Sequence, residues 1–277
     1  MEVGINFDDI KSYASQMSKA VDDKLFFLEH MGTSDFIILD FGCADATILN
    51  QLERRCSDSL GCQGHFQGYI GYDISETMIE MAKTKWEGKS DNVLLTSNWV
   101  EVMRTLHNWK VDHSKALTVT VLSSVIHEVY SYNTEKDFWK RVFEADTDCI
   151  AFRDMMWSST EKNPSPEDWY ANHIIKSIQK DEKNKDLLES FEQKWGSITD
   201  IKNLTHYLLK YRWRINWERE NNENYFPITL SYFLSEMGQK YEPQYLERFS
   251  VPFIESQIRK DFGVDFHVKT HVKIWFK

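Results

Sequence analysis

Residues 36–52, FIILDFGCADATILNQL, decide how this chain is read. The apolar run Phe36, Ile37, Ile38, Leu39 reaches Asp40, a turn of small residues follows, and a helix pattern opens directly after it. This is the pattern of a buried strand feeding a helix N-terminus across a loop that a ligand can approach closely. Further on, GYIGYD (68–73) reads as a second strand ending on an acid, Asp73, with Ser75 placed to cap the next helix. An acid at that point suits the two hydroxyls of a ribose, as in dinucleotide folds.

A pyrophosphate loop wants Gly at each turn position so that bare N–H groups can cradle the anion. Here the small positions are Gly42, Ala44 and Ala46, with Asp45 between the two Ala residues and Asp40 just before the turn. The negative charge repels pyrophosphate and suits a ligand carrying an ammonium or a sulfonium. At these residues the chain resembles the class I S-adenosylmethionine-dependent methyltransferases, whose first motif runs Asp-x-Gly-Cys-Gly-x-Gly. Asp40, Gly42 and Cys43 match, whereas Ala44 and Ala46 stand in place of the second and third Gly.

The resemblance implies S-adenosylmethionine as cofactor, S-adenosylhomocysteine as product, and a closing antiparallel strand pair. It covers residues 35–153 and the C-terminal strands. Carried over position by position, it places Asp40, Gly42, Cys43 and Ala44 at the cofactor, with Asp73 on the ribose. Ile74 and Met78 would lie against adenine, although ordinary core packing explains them equally well. The third strand ends LLTSNW (94–99), where the family often supplies an Asp or Asn to the adenine amino group. Asn98 matches and Trp99 would flank the ring, while a turn role for Asn98 stands beside that reading. Ser123, directly after the fourth strand, completes the cofactor set. An N-terminal helix over the cofactor is also implied, with Tyr13 and Met17 as lid residues.

Hydrophobic residues make up 42% of the 277 positions and aromatics 14%, enough for a large core and against global disorder. The net charge of -10 disfavours nonspecific binding to nucleic acid or anionic membrane. Neither a signal peptide nor a membrane span is legible, so a cytoplasmic protein without membrane attachment is expected. Cys43, Cys56, Cys62 and Cys149 lack zinc or redox spacing, which reads as free thiols in a reducing compartment. His267 and His271 share a strand face but lie roughly 13 Å apart along it, too far to chelate together. No metal is expected.

Along the chain, residues 7–30 read as an amphipathic helix. Strands at 35–40, 68–73, 92–96, 116–122 and 147–153 then alternate with helices at 46–55, 76–87, 99–108 and 135–145, Gly88 stopping one and Thr134 with Asp137 forming a capping-box-like pair for another. Such alternation forces right-handed parallel crossovers. The expected fold is therefore α/β: a doubly wound, mostly parallel seven-stranded sheet, Rossmann-like, with a helical insertion. Its parts are a lid helix (1–34), a cofactor-binding core (35–157), an insertion over the substrate site (158–224) and the end of the core (225–277). The insertion opens near the Pro164 and Pro166 pair. In the last part a helix near 226–240 precedes strand-like FSVPFI (249–254) and the closing strand FHVKTHVKIWFK (266–277).

Chemistry is expected where the fourth strand, ALTVTVL (116–122), runs into SSVIHEVYSY (123–132), because carboxyl ends of parallel strands face the ligand crevice. His127 is a candidate general base, Glu128 a candidate to orient it or bind a cation, and both also fit structural roles. Arg153, ending the fifth strand, would anchor an anionic group or pair with Asp154 or Glu128. Tyr130, Tyr207 and Tyr211 are candidates for the substrate wall together with Tyr13. In THYLLKYRWRINWERE (205–220), Lys210, Arg212, Arg214 and Arg219 interleave with aromatics, a pattern that can bind single-stranded nucleic acid. The surrounding acids favour the plainer reading, an amphipathic helix burying Leu204, Leu208, Tyr211 and Ile215. The sequence thus points to a methyltransferase acting on an O or N atom of a small molecule. Alternatives are an RNA (tRNA) methyltransferase and a cofactor-binding scaffold without turnover.

Overall fold

The computed structural model describes residues 21–57, 65–86, 91–158 and 168–277. Tyr13, Met17, Cys62, Gly88, Pro164 and Pro166 lie outside these ranges. Among the described residues seven strands form one sheet: β1 (Phe36–Phe41), β2 (Phe66–Tyr72), β3 (Val93–Thr96), β4 (Leu117–Ser123), β5 (Cys149–Met155), β6 (Pro243–Phe249) and β7 (His271–Phe276). Their order is β3-β2-β1-β4-β5-β7-β6. β1 to β5 pair in parallel, and β7 runs antiparallel to both of its neighbours. This is the doubly wound, mostly parallel sheet expected from the sequence, closed by an antiparallel pair.

Both faces of the parallel strands are covered, which is why β1 reads as an unbroken apolar run rather than an alternating one. Ile37, Leu39 and Phe41 point into one core layer, with α4 (Trp99–Asp112) and α6 (Glu135–Ala145). Phe36 and Ile38 point into the other, against α2 (Thr47–Ser57), α3 (Glu76–Trp86) and the 3-10 turn Phe26–His30. The expected 7–30 helix is therefore broken within its described part: α1 (Val21–Lys24) ends before that turn, where Phe26, Phe27 and Leu28 are all buried.

The insertion comprises α7 (Trp169–Gln179), α8 (Lys185–Trp195), α9 (Ile201–Lys210) and α10 (Trp217–Asn222). Its core is completed by residues outside it: Met155 and Trp157 after β5, and Ile258, Val264 and Phe266 near the C-terminus. Three readings of this half are corrected. FSVPFI is not a strand; β6 ends at Phe249, and Pro252 opens α12 (Pro252–Phe262), where Ile254 and Ile258 face the insertion at helical spacing. Ile215 is not buried but 85% exposed, because α9 ends at Lys210 and the chain turns before α10. The closing strand expected over 266–277 is shorter, β7 starting only at His271, and the helix expected at 226–240 is α11 (Leu230–Met237), capped by the Thr229 side chain, which accepts from Tyr232 N at 3.2 Å.

Two further differences lie near the crevice. A short helix, α5 (Ile126–Ser131), follows β4. Thr134 makes no capping bond to α6, because its hydroxyl donates instead to Val129 O, 3.2 Å away.

Candidate functional site

From β1 the chain winds outward to β2 and β3, then returns to place β4 on the other side of β1. Such a reversal opens a crevice at the carboxyl ends of the two central strands. The turn leaving β1 is left-handed at Gly42 (φ 77°), Ala44 (φ 47°) and Ala46 (φ 57°), and the turn leaving β4 is left-handed at Ser124 (φ 60°). A Cβ on Gly42 would stand 2.9 Å from Val125 Cγ2, so only glycine fits between the two turns. Ala44 and Ala46 hold the conformation that the motif's glycines would take, at a cost of roughly 1–2 kcal/mol each.

Asp73 holds this turn. One carboxylate oxygen accepts from Ala44 N and the other from Ser75 N, both at 2.9 Å, while Ser75 Oγ accepts from Met78 N at 3.3 Å. Burial raises the Asp73 pKa and the two backbone donors lower it. Gly42 N and Cys43 N both donate to Tyr72 O. Cys43 is buried, and burial together with Asp40 and Asp73 keeps it a thiol. Asp40, also buried, accepts the Tyr69 hydroxyl at 2.5 Å. Burial pushes its pKa up to about 6, against the Tyr69 hydrogen bond and Lys24. The charge expected from Asp45 is answered, because Lys85 pairs with it.

On the adenine side, Ile74 is 73% exposed and Met78 half-buried. Asn98 caps α4, its Oδ1 accepting from Val100 N at 3.0 Å. The Trp99 ring packs on Phe41 and Tyr72, and its Nε1 donates to Glu144 at 3.0 Å. Ser123 is buried, and its Oγ has no partner among the described residues.

The β4 and β5 tips carry the titratable groups. Adjacent strand residues face opposite sides, so Arg153 and Asp154 serve different elements. Asp154 accepts His127 Nδ1 at 2.9 Å and Ile126 N at 2.7 Å, which fixes the start of α5. Arg153 does not pair with Asp154 or Glu128; it donates to Asp23 at 3.0 and 3.1 Å and to Ser124 Oγ at 3.0 Å. His127 is buried, which lowers its pKa, but Asp154 outweighs this and raises it to about 9, so the ring is an imidazolium at neutral pH. Glu128 reaches solvent with 36% of its side chain and meets Arg219 at 3.3 Å. Crowding by protein pushes its pKa up to about 7, opposed by His127 and Arg219 and aided by Glu223.

The Tyr130 hydroxyl accepts Trp139 Nε1 at 3.1 Å, and Tyr207 and Tyr211 belong to the insertion's own core. Tyr13 is outside the described residues. The sequence reading missed three participants, namely Asp23, Lys24 and the Asp154–His127 contact. Only Asp154, a charge inside a strand with both faces covered, carried a signal. Among the described residues no group of three or more His, Cys, Asp or Glu is placed to hold a metal, and no helix is long and apolar enough to cross a membrane.

No protein-family model and no curated protein sequence matches this chain. Among solved structures it is similar to the geranyl diphosphate C-methyltransferase of Streptomyces coelicolor, with 12% identity, a TM-score of 0.45, and 100% of this chain and 84% of that one covered. It is also similar to the magnesium protoporphyrin IX methyltransferase of Synechocystis, with 11% identity, a TM-score of 0.46, and 100% and 89% covered. A third is an N-methyltransferase of Bradyrhizobium japonicum, with 7% identity, a TM-score of 0.42, and 96% of each chain covered.

Two stability measurements check this geometry. Ala44→Gly removes a methyl from a half-buried left-handed position and should raise the unfolding free energy by about 0.5–1 kcal/mol, read from the urea midpoint. Because the folded-state pKa of His127 is raised, its contribution is fully present below the unfolded value of 6.5 and is lost as pH rises through about 9. The stability gap between wild type and His127→Asn should accordingly be widest near pH 6 and shrink by pH 9.5.

Proposed function

We propose that this chain is an S-adenosylmethionine-dependent methyltransferase that methylates an O or N atom of a small molecule, as a soluble cytoplasmic enzyme. The observation that carries the reading is the left-handed turn through Gly42, Ala44 and Ala46, held by Asp73 from the tip of the next strand, at the point where the sheet reverses. The missing Cβ at Gly42 and the unpartnered Ser123 hydroxyl fit a ligand drawn close to the backbone. In this reading Asp73 takes the ribose, with Ile74, Met78, Asn98 and Trp99 bordering the base.

Bound cofactor supplies a methyl group already activated by its sulfonium, so the protein has to align the acceptor and remove its proton. His127, held charged by Asp154, is a donor at neutral pH and not the base. Glu128, with a pKa near the working range, takes the proton. Arg219, reaching from the insertion, sets its orientation.

The RNA reading loses its main support within the chain. Arg212 pairs with Asp261, Arg219 with Glu128 and Glu223, and Arg214 donates to Asn184 and Lys183 O. The Lys210 ammonium is buried and donates to the carbonyls of Glu220 and Glu223. A phosphate backbone would have to break these pairs to gain its contacts.

Calorimetric titration with S-adenosylmethionine and S-adenosylhomocysteine tests the assignment, and failure of both to bind would refute it. Asp73→Ala should weaken binding by about 1–3 kcal/mol, the scale of a lost charge-assisted hydrogen bond; an unchanged dissociation constant removes Asp73 from the site. Once an acceptor is found by incubating extracts with labelled cofactor, kcat should rise through about pH 7 as Glu128 ionises. Glu128→Gln should abolish that limb, whereas a retained limb assigns the base elsewhere.

A further inference from the structure

We propose that Lys210 is a positioning residue for the crevice, its ammonium fixing residues 220–225 so that Arg219 stands against Glu128 and the Tyr225 ring against His127. Lys210 is the last residue of α9, and none of it is exposed. Its Nζ donates to the carbonyls of Glu220, in the last turn of α10, and of Glu223, directly after that helix. Carbonyls at a helix C-terminus lack the partners of an interior turn, and a cation there also meets the negative end of the helix dipole. The same ammonium lies 4.4 Å from the Tyr225 ring centre and 5.2 Å from that of Trp195, within cation–π reach of both. Trp195 adds to the hold, its Nε1 donating to Asn221 O at 3.0 Å.

The segment gripped in this way is the one that meets α5. Arg219 donates through Nε to the Glu223 carboxylate at 2.9 Å and through a terminal nitrogen to Glu128 at 3.3 Å. The residue whose carbonyl Lys210 holds therefore also carries the carboxylate that aims the guanidinium. Next to it, Asn224 N donates to Ser131 Oγ at 2.9 Å, and Ser131 Oγ donates to His127 O at 2.6 Å. Tyr225 sets its ring 5.4 Å from that of His127 and donates its hydroxyl to Glu220. The charges that act most on Glu128 are His127, Glu223, Arg219 and Asp73, and Lys210 is not one of them. Lys210 thus acts on that carboxyl through the place it gives Arg219. An apolar residue of like volume would fill the core but leave both carbonyls without this donor.

The bearing of Lys210 on catalysis rests on the methyltransferase reading, in which Glu128 takes the acceptor proton. The test reads the Glu128 titration midpoint by carboxyl-carbon NMR of glutamate-labelled protein, without cofactor or acceptor, the resonance being assigned with Glu128→Gln. Arg219→Gln should raise that midpoint by roughly one pH unit, the lower end of what an opposite charge at contact does. Lys210→Met should raise it by roughly half as much or more, and in the Arg219→Gln background it should add nothing. An unchanged midpoint in either folded single variant overturns the proposal. A Lys210→Met shift that persists without Arg219 overturns it too, because the effect then bypasses the guanidinium. In wild type, nitrogen relaxation should find the Arg219 Nε–H as rigid as the backbone. Free reorientation there overturns the proposal without any variant, so a Lys210→Met protein that fails to fold does not shield it. None of these results touches cofactor binding, so the methyltransferase reading stands or falls separately, on the nucleoside titrations.

Discussion

The crevice depends on one close approach, that of the turn leaving β1 to the turn leaving β4. A side chain on Gly42 would run into the Val125 side chain, which closes on it from the second turn. To get there the chain adopts left-handed conformations at Gly42, Ala44 and Ala46 on one side and at Ser124 on the other. Three of these four are not glycine, and such positions persist only where their surroundings hold them. The restraints are visible: Asp73 on Ala44 N, Tyr72 O on Gly42 and Cys43, and Arg153 O on Ser124 N. Strain is thus gathered, and held by hydrogen bonds, at the reversal point of the doubly wound sheet.

The strand tips around that floor have their charges sorted by the pleat. Arg153 and Asp154 are neighbours in sequence and face opposite layers. Arg153 therefore ties the N-terminal Asp23 to the sheet, and Asp154 ties the sheet to the start of α5. A buried ion pair contributes little net stability, but losing one partner leaves an expensive lone charge. The arrangement thus fixes geometry more than it adds stability. His127 gains its charge from Asp154, and Glu128, one residue further, is left at the rim with a carboxyl pKa raised toward neutrality. Two adjacent residues on one short helix thus acquire opposite tendencies from their surroundings alone.

Much of the sheet was legible because β1 to β5 are covered on both faces and separated by helices with ordinary periodicity. The first turn was legible through its small residues and Asp73 through its place at a strand end. The failures share a cause, which is that the deciding partner is distant in sequence. FSVPFI carries a β-like run of apolar residues, but Pro252 suits a first helical turn and Ile258 is buried only because the insertion covers it. The basic stretch 205–220 looks available for phosphate until Asp261, Glu128 and the carbonyls of Glu220 and Glu223 are brought to it by folding. Lys24 reads as one polar position in a helix, and nothing local shows that Asp23 beside it is clamped by two cations from the far end of the core.

The insertion meets the crevice through residues 219–225. Arg219 reaches Glu128, Asn224 N donates to Ser131 Oγ at 2.9 Å, and the Tyr225 ring stands edge-on to His127. This segment is held from below by Lys210 and His206. Lys210 donates to two of its carbonyls and lies 4.4 Å from the Tyr225 ring centre, its pKa lowered by burial to about 7. His206, kept neutral by burial and by Lys210, accepts Tyr225 N through Nε2 at 3.3 Å. Among the described residues, Lys210 and His206 contact the segment that meets His127 and Glu128. A polar core under a contact segment transmits displacement because its hydrogen bonds admit few alternative arrangements. Residues 219–225 thus meet His127 and Glu128 directly, whereas Tyr207 and Tyr211 are enclosed in the insertion.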